Sequence, residues 1–361
     1  MSNFNFIEKL IFFDRPEYIL QRYQNCPKKT LIILGQGFDP RMCEGLSAID
    51  GHLENLDIQL LIYGDGNYSP SEKYQAMVTE NINRLNLFNR KITEIAIDMA
   101  NNANLSLVVK GCFNVDILKN QYERIVIDIS AMPQSIFFNL IKHLYMEITR
   151  KNLDIKLDIL VCENSELDDA IIPMELSETA TSLSGFDMFL SDLDSDENPI
   201  NIWIPLLGKG CLDELEKLFT YISPDEICPV LPFPSKNPRR SDEILSDLGE
   251  QLFGAFLVES KNIIYAAEHN VLDVFLKLQK SIVHYNQVLK TIGSPKFYIS
   301  LGSSKLIGLG ALIANFDLRE QGVTTTFAVV ENRGYTFDIE KYLQENNRIC
   351  CLCLNENRYE W

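Results

Sequence analysis

The sequence predicts an α/β protein made of two tandem Rossmann-like domains with mainly parallel sheets and an internal duplication. Three observations predict this. Apolar runs of strand length, rich in Ile, Val and Leu and bounded by Gly, Pro, Asp or Asn, recur along the 361 residues. Stretches of helical periodicity lie between them, which is how buried parallel strands joined by crossover helices read in sequence. Finally, strand ends repeat in order at nearly constant spacing. Leu34-Gly35-Gln36-Gly37 matches Leu207-Gly208-Lys209-Gly210, Ile129-Ser130 matches Ile299-Ser300, and Glu163-Asn164 matches Glu331-Asn332.

Residues 1–29 form an N-terminal segment. Glu8, Lys9, Asp14, Arg15 and Glu17 interrupt its apolar residues, so it reads neither as a secretory leader nor as a membrane span. The first domain, 30–165, takes strands at 30–34, 57–63, 124–129 and 156–162. Phe137, Leu140, Ile141 and Leu144 mark one helix face after the third of these. Residues 166–200 read as an acidic linker, because the turn-rich stretch 191–199 repels itself and lacks periodicity. The second domain, 201–340, takes strands at 201–207, 226–231, 296–300 and 324–330. A long helix carrying Val271, Val274, Phe275, Leu278 and Ile282 ends before Gly293. Residues 341–361 add a short helix near 340–346 and a last strand at 348–354.

Composition restricts the function classes. With 33 Lys and Arg against 50 Asp and Glu, the formal charge is −17, which opposes wrapping an extended nucleic acid. The nine cysteines, several inside apolar runs, read as reduced core thiols of a cytoplasmic protein. His52, His143, His269 and His284 lie far apart with no ligand spacing, so no metal site is expected.

Ligands of open parallel sheets bind beyond the carboxyl ends of the strands, where loops and helix N-termini converge. The first half offers there Gly35, Gln36, Gly37 and Arg41, a Gly64-Asp65-Gly66 turn, and Ser130 and Ser135. Tight turns and helix caps account for the same residues equally well. The second half offers Gly208, Lys209, Gly210, Ser300, Gly302, Ser303, Ser304 and Lys305, with Lys236, Arg239 and Arg240 in a further loop. Cations gathered at one sheet edge of an acidic protein point to an anion pocket, although the latter loop also reads as a solvated turn. Neither a complete dinucleotide fingerprint nor a P-loop is present. For catalysis the residues to weigh are the strand-end carboxylates Asp39, Asp65 and Asp128, with Glu163 nearby. Cys43 and Cys211 follow the two GxG loops without a histidine close in sequence.

A strand running into Asp128-Ile129-Ser130 and then a helix resembles the nucleotide-sensing CARF domains, in which a short Asp/Asn-x-Ser/Thr turn opens the ligand pocket. Two such units in one chain resemble the SAVED arrangement, which senses cyclic oligonucleotides in bacterial anti-phage systems. The resemblance implies a nucleotide or other anionic small molecule as ligand. With no effector segment recognised in the sequence, it also implies a protein partner that carries the output. The expected function is therefore a sensor or regulatory subunit that binds a nucleotide or phosphorylated ligand. The alternatives are a Rossmann-like enzyme acting on nucleotides, a nucleosidase or nuclease using the strand-end carboxylates, and a scaffold subunit of a protein complex.

Overall fold

The computed structural model describes residues 6–24, 29–64, 74–99, 104–187, 198–337 and 346–356. The chain divides into two units, Met1–Asn164 with Leu343–Trp361, and Ser165–Tyr342.

The first unit is built on β2 (Thr30–Gly35), whose six residues are all buried. On one side it pairs in parallel with β3 (Leu56–Gly64), and β3 with β4 (Lys91–Asp98). On the other side it pairs in parallel with β5 (Arg124–Asp128), and β5 with β6 (Lys156–Glu163). The sheet is closed by two further strands, β14 (Arg348–Cys353), antiparallel to β6, and β1 (Ile11–Phe13), antiparallel to β14. The helices are α1 (Pro16–Tyr23), α2 (Glu44–Ile49), α3 (Gln75–Asn86), α4 (Leu105–Cys112), α5 (Val115–Leu118) and α6 (Gln134–Arg150). The face predicted from Phe137, Leu140, Ile141 and Leu144 is wholly buried in α6. One core joins Ile32, Ile58 and Leu60 of the sheet to Leu46 and Ile49 of α2 and Ile19 and Tyr23 of α1.

The second unit repeats this plan. Its centre is β8 (Pro199–Leu206), flanked in parallel by β12 (Ser294–Leu301), then β13 (Thr325–Phe337). On its other side lie β10 (Val230–Pro232) and β11 (Ile264–Ala266), also parallel, with the two-residue β9 (Glu226–Ile227) paired to β8. The order β4-β3-β2-β5-β6 thus reappears as β11-β10-β8-β12-β13. An antiparallel strand, β7 (Ile171–Ser182), closes the sheet beside β13 as β14 does beside β6. The helices here are α7 (Ser165–Ala170), α8 (Leu212–Ile222), α9 (Arg240–Gly249), α10 (Val271–Leu289) and α11 (Lys305–Glu320). Leu306 to Leu318 are buried without interruption, and α11 crosses α10 closely, because a side chain on Gly310 would overlap Val274. The fold is an α/β fold of two mixed, mainly parallel Rossmann-like sheets.

The closing strands are exchanged along the chain: β7 follows β6 yet completes the second sheet, and β14 follows β13 yet completes the first. This corrects three sequence expectations. Residues 166–182 of the expected linker lie in α7 and β7, and 188–197 lie outside the described residues. The C-terminal strand and the N-terminal segment belong to the first sheet and its core. The strand expected at 226–231 is two short pieces, since Pro229 has no N–H to continue the ladder. The helix expected near 340–346 falls, but for its last residue, outside the described residues.

A buried ionic cluster seats β14. Asp158 of β6 accepts from Arg22 of α1 at 2.5 and 2.9 Å, from Arg124 of β5 at 2.5 Å and from the Tyr23 hydroxyl at 3.1 Å. Arg22 also pairs with Glu356, which follows β14. Cys351 and Cys353 lie against Asp158, and the three donor atoms are all within 4.8 Å of one another. Two guanidinium groups already occupy that carboxylate and repel any cation, so these residues do not fit a metal.

Candidate functional site

In each sheet the strand order reverses at the central strand, between β2 and β5 and between β8 and β12, where open α/β sheets form a crevice at the carboxyl ends. The predicted residues lie at these two places, and their chemistry differs.

In the first unit the loop after β2 approaches that after β5. A side chain on Gly35 would overlap Tyr63 Oη and Met132, and one on Gly37 would lie 3.5 Å from the Ala131 carbonyl oxygen. Much of the loop serves its own architecture. Asp39 caps the turn by accepting from the Arg41 N–H at 2.9 Å and takes its guanidinium at 3.0 and 2.8 Å. Arg41, 1% exposed, also donates to the Cys162 carbonyl oxygen at 3.4 Å. Asn81 donates to the carbonyls of Gly37 and Asp39, both at 2.9 Å. Asp128 accepts from the Ser130 hydroxyl at 2.5 Å, and Ser130 in turn accepts from the Cys162 N–H at 2.8 Å. These bonds correct the expectation for Arg41 and Ser130, which tie β2 and β5 to β6 rather than face a ligand. They also pair Asp39 with the Arg41 guanidinium and Asp128 Oδ1 with Ser130. Gln36, Gly37 and Ser135, in the first turn of α6, remain half-buried at the rim. Asp65 and Gly66 lie outside the described residues.

In the second unit the two loops touch: a side chain on Gly208 would overlap the Gly302 carbonyl, and one on Gly302 would lie 3.0 Å from the Leu206 carbonyl oxygen. Gly208 therefore requires glycine, Gly302 leaves little room for a side chain, and Gly210 requires glycine through its φ of 73°. Ser304 is the N-cap of α11, its Oγ accepting from the Ile307 N–H at 3.4 Å. Ser303 and Lys305 flank it, half-buried, at the start of a 16-residue helix whose dipole and first-turn N–H groups favour an anion. Ser300 does not line the crevice: it is buried and accepts from the Trp203 indole N–H at 3.0 Å.

Of the expected cations, Lys209 and Arg240 come together around Asp169, and both are paired with acids of this unit. Lys209 Nζ lies 2.6 Å from Glu243 and 3.8 Å from Asp169, a pairing that raises its pKa. Buried Arg240 takes Asp169 in a two-pronged pair at 2.6 and 2.9 Å and Glu268 through Nε. Arg239 is exposed in the turn that opens α9, with Lys236, whose N–H donates to His269 Nε2 at 3.1 Å. The exposed Lys209–Glu243 pair is worth about 0–1 kcal/mol, whereas uncovering the buried guanidinium costs several-fold more.

One residue the sequence reading passed over is Glu214, in the first turn of α8. Burial, then the neighbouring Asp213, push its carboxyl up to about 7, against the opposing Lys217 charge. The signal for it was only its place four residues after Gly210. The thiols weighed as nucleophiles are no longer candidates, because burial pushes Cys43 up to about 12 and Cys211 up to about 11. Among the described residues no helix is long and apolar enough to cross a membrane.

No family model matches the chain, and no curated protein matches it. Solved structures with partial similarity include a protein assigned as a UDP-N-acetylglucosamine 2-epimerase from Listeria monocytogenes, at 12% identity and a TM-score of 0.24, over 76% of this chain and 74% of that one. Another is the cytoplasmic domain of a prokaryotic cation chloride cotransporter, at 12% identity and a TM-score of 0.22, over 84% of this chain and 97% of that one.

Proposed function

We propose that the chain is a binding subunit that holds a nucleotide or another phosphorylated small molecule in the β8–β12 crevice and acts through a partner protein. The observation that carries this reading is the abutment of the Gly208 and Gly302 loops beneath the start of α11. That arrangement supplies close backbone approach, helix N–H groups and two lysines at one strand-order reversal. The two-pronged pairing of Asp39 with the buried Arg41 guanidinium favours binding over the nucleotide-hydrolase alternative. A place in anti-phage defence, with a cyclic oligonucleotide as ligand, is the form of this function that the CARF and SAVED resemblance implies.

Calorimetry with mono-, di- and cyclic oligonucleotides tests the reading. At least one should bind the full chain, and the Lys209→Ala/Lys305→Ala double variant should weaken it by about tenfold or more, the loss expected on removing charge-assisted bonds. Folded protein that binds none of the panel would sink the proposal.

A further inference from the structure

Three carboxylates surround Lys209 and Arg240, and they differ in accessibility. Glu268 is wholly buried against Arg240, whereas the side chains of Asp169 and Glu243 are 22% and 40% exposed. Asp169 Oδ2 is shared between the two cations, 2.6 Å from Arg240 and 3.8 Å from Lys209. The forked Arg240–Asp169 geometry is the one a guanidinium adopts on a phosphate. Asp169 does not come from the five-strand parallel core: it sits on α7, the six-residue helix that leads into the exchanged strand β7. That helix also carries Glu166 and Asp168, so Arg240 holds by Asp169 a segment rich in like charge.

We propose that Asp169 and Glu243 occupy, from within the protein, the place of an anionic ligand's phosphate oxygens. A polyvalent phosphate displaces them from Arg240 and Lys209 and thereby releases α7. This rests on the reading of the second unit as a phosphorylated-ligand site. Glu268 stays with Arg240 in both states, so exchanging Asp169 for phosphate never leaves the guanidinium uncompensated. Lys209, one third exposed, is the point where an anion arriving from solvent first competes. Binding at this subsite and order in α7 are then two readouts of one equilibrium, and the protein's own carboxylates set the ligand concentration at which it responds.

The test uses the full chain and inorganic pyrophosphate, by calorimetry and by hydrogen exchange over residues 165–170. A subsite open about one-tenth of the time binds about tenfold more weakly than an open one, so Asp169→Asn/Glu243→Gln should tighten pyrophosphate by about that factor. In the unsubstituted chain, saturating pyrophosphate should speed exchange in α7. The charge-matched control Asp247→Asn/Glu250→Gln, at two exposed positions, should leave affinity within about twofold. Equal tightening in the control overturns the displacement mechanism, as does binding that Lys209→Ala abolishes but the Asp169/Glu243 variant leaves unchanged. The latter result leaves the ligand reading standing. Folded chain and folded variant that both fail to bind pyrophosphate overturn the inference and the anion reading together.

Discussion

The indole N–H of Trp203 on β8 donates to the Ser300 hydroxyl on β12 at 3.0 Å, both side chains being buried beneath the crevice. Trp203 is held on its other sides by Phe219 and Phe256, whose rings stack at 4.3 Å. Ser300 is thus a strut between adjacent strands. Ser300→Ala leaves the indole N–H unpaired and should cost about 1–3 kcal/mol, with ligand affinity unchanged in the folded fraction. Urea unfolding followed by tryptophan fluorescence measures the loss. A variant of full stability that has lost its ligand would return Ser300 to the binding site.

A second prediction concerns Asp158 and the seating of β14. Burial alone would raise its pKa, but the guanidinium charges of Arg22 and Arg124 outweigh burial and hold the carboxyl well below its ordinary value. A depressed pKa contributes stability above the unfolded-state value of 3.8, and that contribution is lost as pH falls through the lower folded value. Asp158→Asn leaves two buried guanidinium groups under-paired and should cost the first unit about 3–5 kcal/mol at pH 7. The gap from the unsubstituted chain should narrow below pH 3.8. Hydrogen exchange of β6 and β14 amides reads it directly, and protection indifferent to the substitution would contradict the ionic seat.

How far these features were legible follows from burial. Strands β2, β5 and β8 read clearly because both faces are covered and their residues form continuous apolar runs. The edge strands did not. Lys91, Glu94 and Asp98 break up β4, and Pro173, Glu175 and Glu178 give β7 the look of a linker. The repeated Gly35 and Gly208 turns were visible as sequence, and their need for glycine follows from the loops that press on them. Arg22 and Asp158, 136 residues apart, carry no local sign of their pairing. In the same way Lys209 and Arg240 announce positive charge, while the acids that neutralise it come from α7, α9 and the turn after β11, and only folding assembles them.

The third prediction turns on Glu214. Its raised folded pKa means that the folded state prefers the neutral acid, so its contribution is complete below 4.5 and is lost as pH rises through about 7. Above that pH the chain carries an ionised, half-buried carboxylate beside Asp213, with Lys217 drawn instead to the Ser177 carbonyl at 2.7 Å. Glu214→Gln keeps the shape and removes the charge. Discounted for partial exposure, the gain is about 1 kcal/mol at pH 8, or about 2–4 °C in the melting of a unit this size, and close to nothing at pH 4. Trp203 fluorescence follows that melting in the second unit. A variant less stable than the parent at pH 8, or stabilised equally at both pH values, would mean that Glu214 is ionised and favourably paired in the folded chain.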